Sequence, residues 1–430
     1  MNNPLKIAVA GLGTVGGATL QLIQAQADIL SQRCGRDLVV THVSARDRNR
    51  DRGLDLAGIA WVDDPMALAT TDNIDVVVEL IGGSEGIARD LVEASLKAGR
   101  HVVTANKALM AHHGNALGQL AEGAGVSLAY EAAVAGGIPI IKALREGLAG
   151  NRIERVYGIL NGTCNYILST MRDQGLGFDA VLADAQALGY AEADPGFDID
   201  GVDTAHKLAI LTAVAFGCEV DFDAVYTEGI RHITADDISF ADELGYRIKL
   251  LGIATRINGA IEQRVHPCLV ADVTPIAHVP GAFNAVVADG DFVDSTVYEG
   301  KGAGGGPTAS AVVADLVDIA RGSRVPTFAV GVNDLAKSSP APMEDHVGAY
   351  YICLTVRDEP GVMADVTAAF KDQSISLESM LQRGRSPGEP VLVVLITHET
   401  REASMVAALQ QIGKLSTMLS APRMIRMEAL

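Results

Sequence analysis

At 430 residues, 48% apolar and 20% charged, the chain is long enough for two to four domains with cores of their own. A net charge of −19 with no long basic run argues against nucleic acid or an anionic membrane as a general partner. Five scattered cysteines without a CxxC spacing point to the reduced thiols of a cytoplasmic protein, not a disulfide frame or a zinc site, and no apolar run approaches the ~18 residues of a membrane span.

The chain opens MNNPLKIAVAGLG, which lacks a signal-peptide pattern. LKIAVA reads as a buried parallel strand, followed at once by Gly11-x-Gly13-x-x-Gly16 and then a helical rhythm. A GxGxxG between strand and helix is a dinucleotide fingerprint, with the helix N-terminus aimed at the pyrophosphate. A second strand over 38–45 ends at Arg46-Asp47-Arg48. Arg46 there favours the 2′-phosphate of NADP, and Asp47 keeps NAD open. Strands over 74–80, 100–105 and 126–134 alternate with helices, which implies a doubly wound parallel sheet. Gly82 and Gly83, and Thr104 to Lys107, fall at strand ends where such sheets bind ligands. His112 and His113 read as helix surface.

After Glu131 the pattern changes to a glycine-rich helix entry, then a strand, the polar turn NGTCN and a helix. The turn carries Asn161, Gly162, Thr163, Cys164 and Asn165. Cys164 is a candidate nucleophile, but no neighbour looks like its base, so a buried structural thiol is the preferred reading. GYAEADPGFDIDGVDTAHKL then gathers Glu192, Asp194, Asp198, Asp200, Asp203 and Lys207 ahead of a helix that is apolar all round. Asp200 suits its N-cap, and Asp203 and Lys207 share a face four residues apart. An exposed pair of that kind contributes only about 0.2–0.5 kcal/mol. A lysine entering a core beside carboxylates is instead a candidate proton donor, with the other acids free to bind a cationic substrate group. Residues 225–300 suit strands, and EGKGAGGGPTA is a glycine-rich loop opening a helix, with Gly302 and Gly304 able to close over a cofactor.

Residues 336–348 read as a linker, and 349–430 as a separate βαββαβ unit with a turn at SPGEP. The other divisions are 1–131, completed by about 301–335, for nucleotide binding, and 132–300 for substrate and dimerisation. The overall expectation is α/β: a Rossmann-like domain, an α+β domain and a small C-terminal α+β unit.

In that order, GLGTVG, TANKALM, NGTCNYIL, GYAEADPGFDIDGVDTAHKL and EGKGAGGGPTA resemble the homoserine dehydrogenases that carry a C-terminal ACT domain, over nearly the whole chain. The resemblance implies reversible NAD(P)H-dependent reduction of L-aspartate 4-semialdehyde to L-homoserine, in the synthesis of threonine, methionine and isoleucine. It implies Lys207 as proton donor, with Lys107 near nicotinamide and substrate. Glu192 and Asp203 would bind the substrate amino group, with Asp198, Asn161, Gly162 and Thr163 beside them. The cofactor set is Gly11, Gly13, Thr14, Val15, Gly16, Arg46, Gly82, Gly83, Thr104, Lys107, Gly302 and Gly304. Glu131, with the carbonyls of Val134, Gly136 and Ile138, would hold a sodium or potassium ion. The alternative for Glu131 is a carboxylate capping the next helix. Other semialdehyde dehydrogenases and a non-catalytic amino-acid sensor are the rival functions. The ACT unit implies allosteric control, with L-threonine as effector from pathway logic. Its uncovered edge and sheet face predict pairing into a homodimer or homotetramer. A chain ended at Ala336 is expected to keep catalysis and lose threonine inhibition.

Overall fold

The computed structural model describes residues 3–383 and 388–430. Its first part is a six-stranded parallel sheet in the order β3-β2-β1-β4-β5-β6. The strands are β1 (Leu5–Ala10), β2 (Leu38–Ser44), β3 (Ala60–Trp61), β4 (Val76–Glu79), β5 (His101–Thr104) and β6 (Leu128–Ala129). Helices α1 (Thr14–Ala25), α2 (Ala27–Cys34), α3 (Ile87–Lys97) and α4 (Lys107–Ala124) connect them. The expected fifth long strand is only β6. The chain leaves the sheet at Glu131, whose N–H donates to Asp315 at 2.9 Å as a 3₁₀ turn begins. Gly11 has φ +102°, and a Cβ at Gly16 would run into the Gly11 carbonyl, so both positions require glycine.

The second part opens with α5 (Ile140–Lys142) and β7 (Ile153–Ile159), then α6 (Gly162–Gln174), α7 (Phe178–Ala187), α8 (Gly196–Ile199) and α9 (Val202–Phe216). It continues through β8 (Tyr226–Thr227), α10 (Ala235–Glu243), β9 (Tyr246–Ile257), β10 (Ala260–Ala271), β11 (Phe283–Gly290) and β12 (Asp294–Lys301). Helix α11 (Gly305–Arg321) then returns to the first sheet, where Val312 and Leu316 pack in one core with Leu20, Val9 and Val43. Helix α9 is apolar all round, as the sequence implied, and nearly all of it is buried. Its N-cap is Gly201, not Asp200. With φ +87° at Gly201 the chain turns before the helix, and the Asp200 carboxylate pairs with Arg231 instead.

The last part is β13 (Val347–Arg357), α12 (Val362–Asp372), β14 (Leu377–Gln382), β15 (Pro390–Thr397), β16 (Thr400–Arg401), α13 (Glu402–Ile412) and β17 (Arg423–Glu428). Ser386 and Pro387 of the expected turn lie outside the described residues. This βαββαβ unit is not separate. β17 pairs parallel with β10, so one sheet runs β12-β11-β7-β9-β10-β17-β13-β15-β14. One face of the unit is covered by α12 and α13, and the other joins the core of the second part through Tyr351, Val394 and Ile425. The linker is docked as well, since Ser339 accepts from the Ile261 N–H and Ala341 donates back to its carbonyl. A face and an edge that the sequence left to a second subunit are thus covered within the chain, and β14 is the edge that remains.

Buried charges rivet the seam. Arg264 on β10 forks onto Glu428 and also meets Glu262, which accepts from His346. Arg426, 1% exposed, joins Glu402 to Glu228 at 2.7 Å and to the Tyr226 hydroxyl at 3.1 Å. A chain ended at Ala336 would uncover the β10 edge and the apolar face beside it and take Glu428 from Arg264, so stability as well as regulation is at stake in such a truncation. Among the described residues no helix is long and apolar enough to cross a membrane. Arg426→Met should cost about 3–5 kcal/mol of stability, because it strands two carboxylates. Urea unfolding of the full chain checks this, and a loss indistinguishable from zero would show that the seam does not depend on the arginine.

Candidate active site

The starts of three helices, α4, α6 and α9, meet at one cavity of about 640 Å³. Asn106 caps α4 by accepting from the Leu109 N–H, which puts Lys107 on the first turn. Asn161 caps α6 in the same way through Cys164. Asp203 and Lys207 lie a turn apart at the start of α9. Lys207 Nζ donates to Asp203 Oδ2 at 2.7 Å and to the Leu160 carbonyl at 2.7 Å. Lys107 Nζ is 2.7 Å from the other oxygen of Asp203. Asn161 Nδ2 donates to Asp203 and to Asp198, both at 2.8 Å. One buried carboxylate therefore carries two ammoniums and an amide.

The electrostatics follow from that sharing. Burial pushes the Asp203 carboxyl up, but the charges of Lys207 and Lys107 outweigh it and hold the group well below the usual carboxylate range. Burial brings Lys207 below the ordinary lysine range; the attraction of Asp203 opposes this, and the like charge of Lys107 adds to it. A carboxylate that must serve two cations cannot fully compensate either of them. Asp198 is raised, by burial and then by the charge of Asp203. The cluster thus presents a fixed anion, a lysine eased toward giving up its proton, and a second carboxyl nearby.

Thr163 reaches Asp198 at 3.5 Å and donates to the Tyr190 carbonyl at 2.7 Å. The N-terminus of α6 at Gly162 and Thr163 lines the cavity, as do Gly302 and Gly304 on the far wall. Gly11, Gly13, Thr14, Val15, Gly16, Gly82, Gly83 and Arg46 are not in this wall. They stand along the carboxyl ends of β1, β2 and β4, and Gly305 of the glycine-rich turn comes against Thr14. Cavity and strand ends together form a trough from the acid–lysine cluster to the nucleotide fingerprint.

Some residues sit elsewhere than the sequence suggested. Glu192 is exposed and outside the cavity wall. Among the described residues its carbonyl is engaged, by Gln186. Thr104 is fully buried, with its hydroxyl turned to Glu79 at 2.6 Å and accepting from the Asn106 N–H, so it ties two loops together. The Glu131 carboxylate accepts the N–H groups of Ile141 and Lys142, both at 2.9 Å, which is the helix-capping arrangement. Cys164 is fully buried, and burial followed by the nearby Asp198 and Asp203 raises its thiol, which removes it as a nucleophile.

Other residues went unnoticed. Glu79 accepts from the N–H groups of Ile81 and Gly82 and from Thr104, which shapes the loops after β4 and β5. Its one signal was an acid closing an otherwise apolar strand. His206 is packed among His112, Phe197 and Phe222, and burial holds it down at about 4, so it stays neutral beneath the lysines.

Comparison with known proteins follows the same division. Residues 11–131 match the model of the homoserine dehydrogenase NAD-binding domain, 139–317 that of homoserine dehydrogenase, and 350–415 that of the ACT domain. The homoserine dehydrogenase of Neisseria gonorrhoeae is 44% identical, with 99% of each chain covered. The crystal structure of a homoserine dehydrogenase from Thiobacillus denitrificans is 49% identical over 99% of this chain and 98% of that one, with a TM-score of 0.94. A hyperthermophilic archaeal homoserine dehydrogenase in complex with NADPH is 28% identical over 73% of this chain and 97% of that one, with a TM-score of 0.63. The trough between a dinucleotide fingerprint and a buried lysine–aspartate cluster therefore belongs to an NAD(P)-dependent oxidoreductase, and the chain is a member of the homoserine dehydrogenase family.

Proposed function

We propose that the chain reversibly reduces L-aspartate 4-semialdehyde to L-homoserine, on the route to threonine, methionine and isoleucine, with NADPH preferred to NADH. The observation that carries this reading is the single carboxylate of Asp203 shared by Lys207 and Lys107 at the cavity. The nicotinamide cofactor supplies hydride when bound. The aldehyde oxygen then gains negative charge, which the two ammoniums stabilise, and Lys207 gives it a proton. Asp203, with Asp198 beside it, receives the substrate ammonium, and Asn161 orients both acids. The free N–H groups at Gly162 and Thr163 suit the substrate carboxylate. The buried, raised thiol of Cys164 disfavours the acylating rival.

Arg46 supports NADP. It is exposed two residues beyond β2, while the side chain of Asp47 is turned to the Asn49 N–H. A cation at Glu131 with the carbonyls of Val134, Gly136 and Ile138 has two supports. Ala135 and Gly136 are both left-handed, at φ +54° and +46°, and a carboxylate accepting two N–H groups keeps lone pairs for a hard ion. Burial, then Asp315, raises Glu131 to about 7. Binding of a cation needs the ionised form, so thermal stabilisation by sodium or potassium should grow as pH rises through 7. No stabilisation at pH 8 over a bulky organic cation would remove the ion from the account.

L-threonine is proposed as effector of the ACT unit, where Gly361, at φ +98°, turns the chain into α12 and leaves N–H groups for a carboxylate. A homodimer or homotetramer remains the proposed assembly. The chemistry is tested by following NADPH oxidation with the semialdehyde, with and without threonine. Lys207→Met should retain NADPH binding and lose about 10²–10⁴-fold in kcat. Near-normal turnover would pass the donor role to Lys107, and threonine-insensitive full-length enzyme would remove threonine. Arg46→Ala should raise KM for NADP⁺ about tenfold or more and leave NAD⁺ little changed, since it removes a charge-assisted contact to one cofactor only. Equal effects on both cofactors would contradict the preference.

A further inference from the structure

Two buried polar residues behind the cavity take no part in the chemistry above. Lys249 lies on β9 and is 2% exposed, and among the described residues its hydrogen bonds include no carboxylate. Its Nζ donates to Asn165 Oδ1 at 2.9 Å and to the Val279 carbonyl at 2.8 Å. Asn165, the second asparagine of NGTCN, is 1% exposed on α6. Its carboxamide nitrogen faces three carbonyls, Gly281 at 2.7 Å, Val279 at 3.2 Å and Phe283 at 3.3 Å.

Those carbonyls belong to the connection between the 3₁₀ turn Pro275–His278 and β11. Pro280, Gly281, Ala282 and Phe283 form one wall of the cavity that holds Lys207, Asp203 and Asp198. Val279–Ala282 has no strand partner, so its carbonyls need donors from elsewhere. Asn165 serves those of Val279 and Gly281, and Lys249 fixes which way its amide points, because only the amide oxygen can face the lysine nitrogen. Burial, followed by the charges of Arg172 and Arg247, lowers Lys249 to about 7. Ammonium and amine both keep enough N–H bonds to serve two acceptors, so the clamp holds in either state. The same wall meets the substrate side of the cavity directly: a Cβ at Gly162 would lie 2.6 Å from the Ala282 carbonyl oxygen. A lysine this deeply buried is uncommon unless it has a partner or a task.

We propose that Asn165 and Lys249 are positioning residues for substrate fit: they fix Val279–Phe283 as a rigid wall, and that wall sets the length of amino-acid aldehyde or alcohol the cavity accepts. The proposal rests on the amino-acid substrate proposed above.

The test uses full-length Asn165→Asp and Lys249→Met beside the wild type. Aspartate keeps the size and the acceptor toward Lys249 but donates nothing to the three carbonyls. Each enzyme is assayed with L-homoserine and with its homologue one methylene longer, and NADPH binding is measured separately. Both variants should show a roughly ten- to hundredfold higher KM for L-homoserine, with NADPH affinity near that of the wild type and a melting temperature lowered by the buried carbonyls left without donors. Their preference for homoserine over the longer alcohol should shrink. An unchanged preference ratio in both variants would overturn the proposal, as would parallel losses of substrate and NADPH affinity. A wild type inactive on homoserine would sink the functional reading and this inference with it, whereas an active wild type with unaltered variants sinks the clamp alone.

Discussion

A buried carboxylate with two ammoniums is the constraint around which the catalytic half is arranged. Asp203 is 2% exposed, and an isolated charge at that depth would be neutralised at a large free-energy cost. It persists because Lys207 arrives from the next turn of its own helix and Lys107 from the nucleotide-binding part. The contact therefore joins two parts of the chain as well as two charges. Lys107 is placed by the Asn106 cap, and Asn106 in turn donates to the Gly83 carbonyl on the loop after β4. The loop after β4 is thereby tied mechanically to the buried acid Asp203.

The C-terminal unit is attached by the same kind of device. Polar groups at alternate positions of β10 (the charged Glu262 and Arg264, and His266, which burial keeps neutral) sit beside Arg426 and Glu428 at alternate positions of β17. Buried ion pairs of this sort give little net stability but strongly disfavour any arrangement in which one partner is missing. Arg426 also reaches Glu228, and the neighbouring Ile230 N–H donates to the carbonyl of Ile199, next to the site residue Asp198. The ACT domain is therefore continuous with the segment that carries Asp198 and Asp203, through sheet and hydrogen bonds alike.

Much of this was legible from sequence where the signal is local. The GxGxxG between strand and helix, the acid–lysine spacing at the head of an all-apolar helix, and the βαββαβ rhythm each rest on neighbours along the chain. What escaped depends on partners far away in sequence. Asp200 looked like a cap, but Gly201 turns the chain and Arg231 takes the acid. Glu131 offered both a cation and a cap, and the cap became recognisable only once the start of α5 was in place. The C-terminal unit read as separate because the pairing of β10 with β17 leaves only one faint trace, charges at every second position in strands that proved to be buried.

The central claim is that Asp203 sets the protonation of Lys207. Replacing it with asparagine keeps the shape and removes the charge that favours the ammonium. With Lys207 as the proposed donor the active form is the ammonium, so the rate of the proposed semialdehyde reduction falls as pH rises through the lysine pKa, and loss of the carboxylate lowers that pKa further. The decisive measurement is the pH dependence of kcat for reduction in Asp203→Asn beside the wild type. The account predicts that the alkaline limb moves to lower pH in the variant. A limb that stays in place, with only its height reduced, would contradict it.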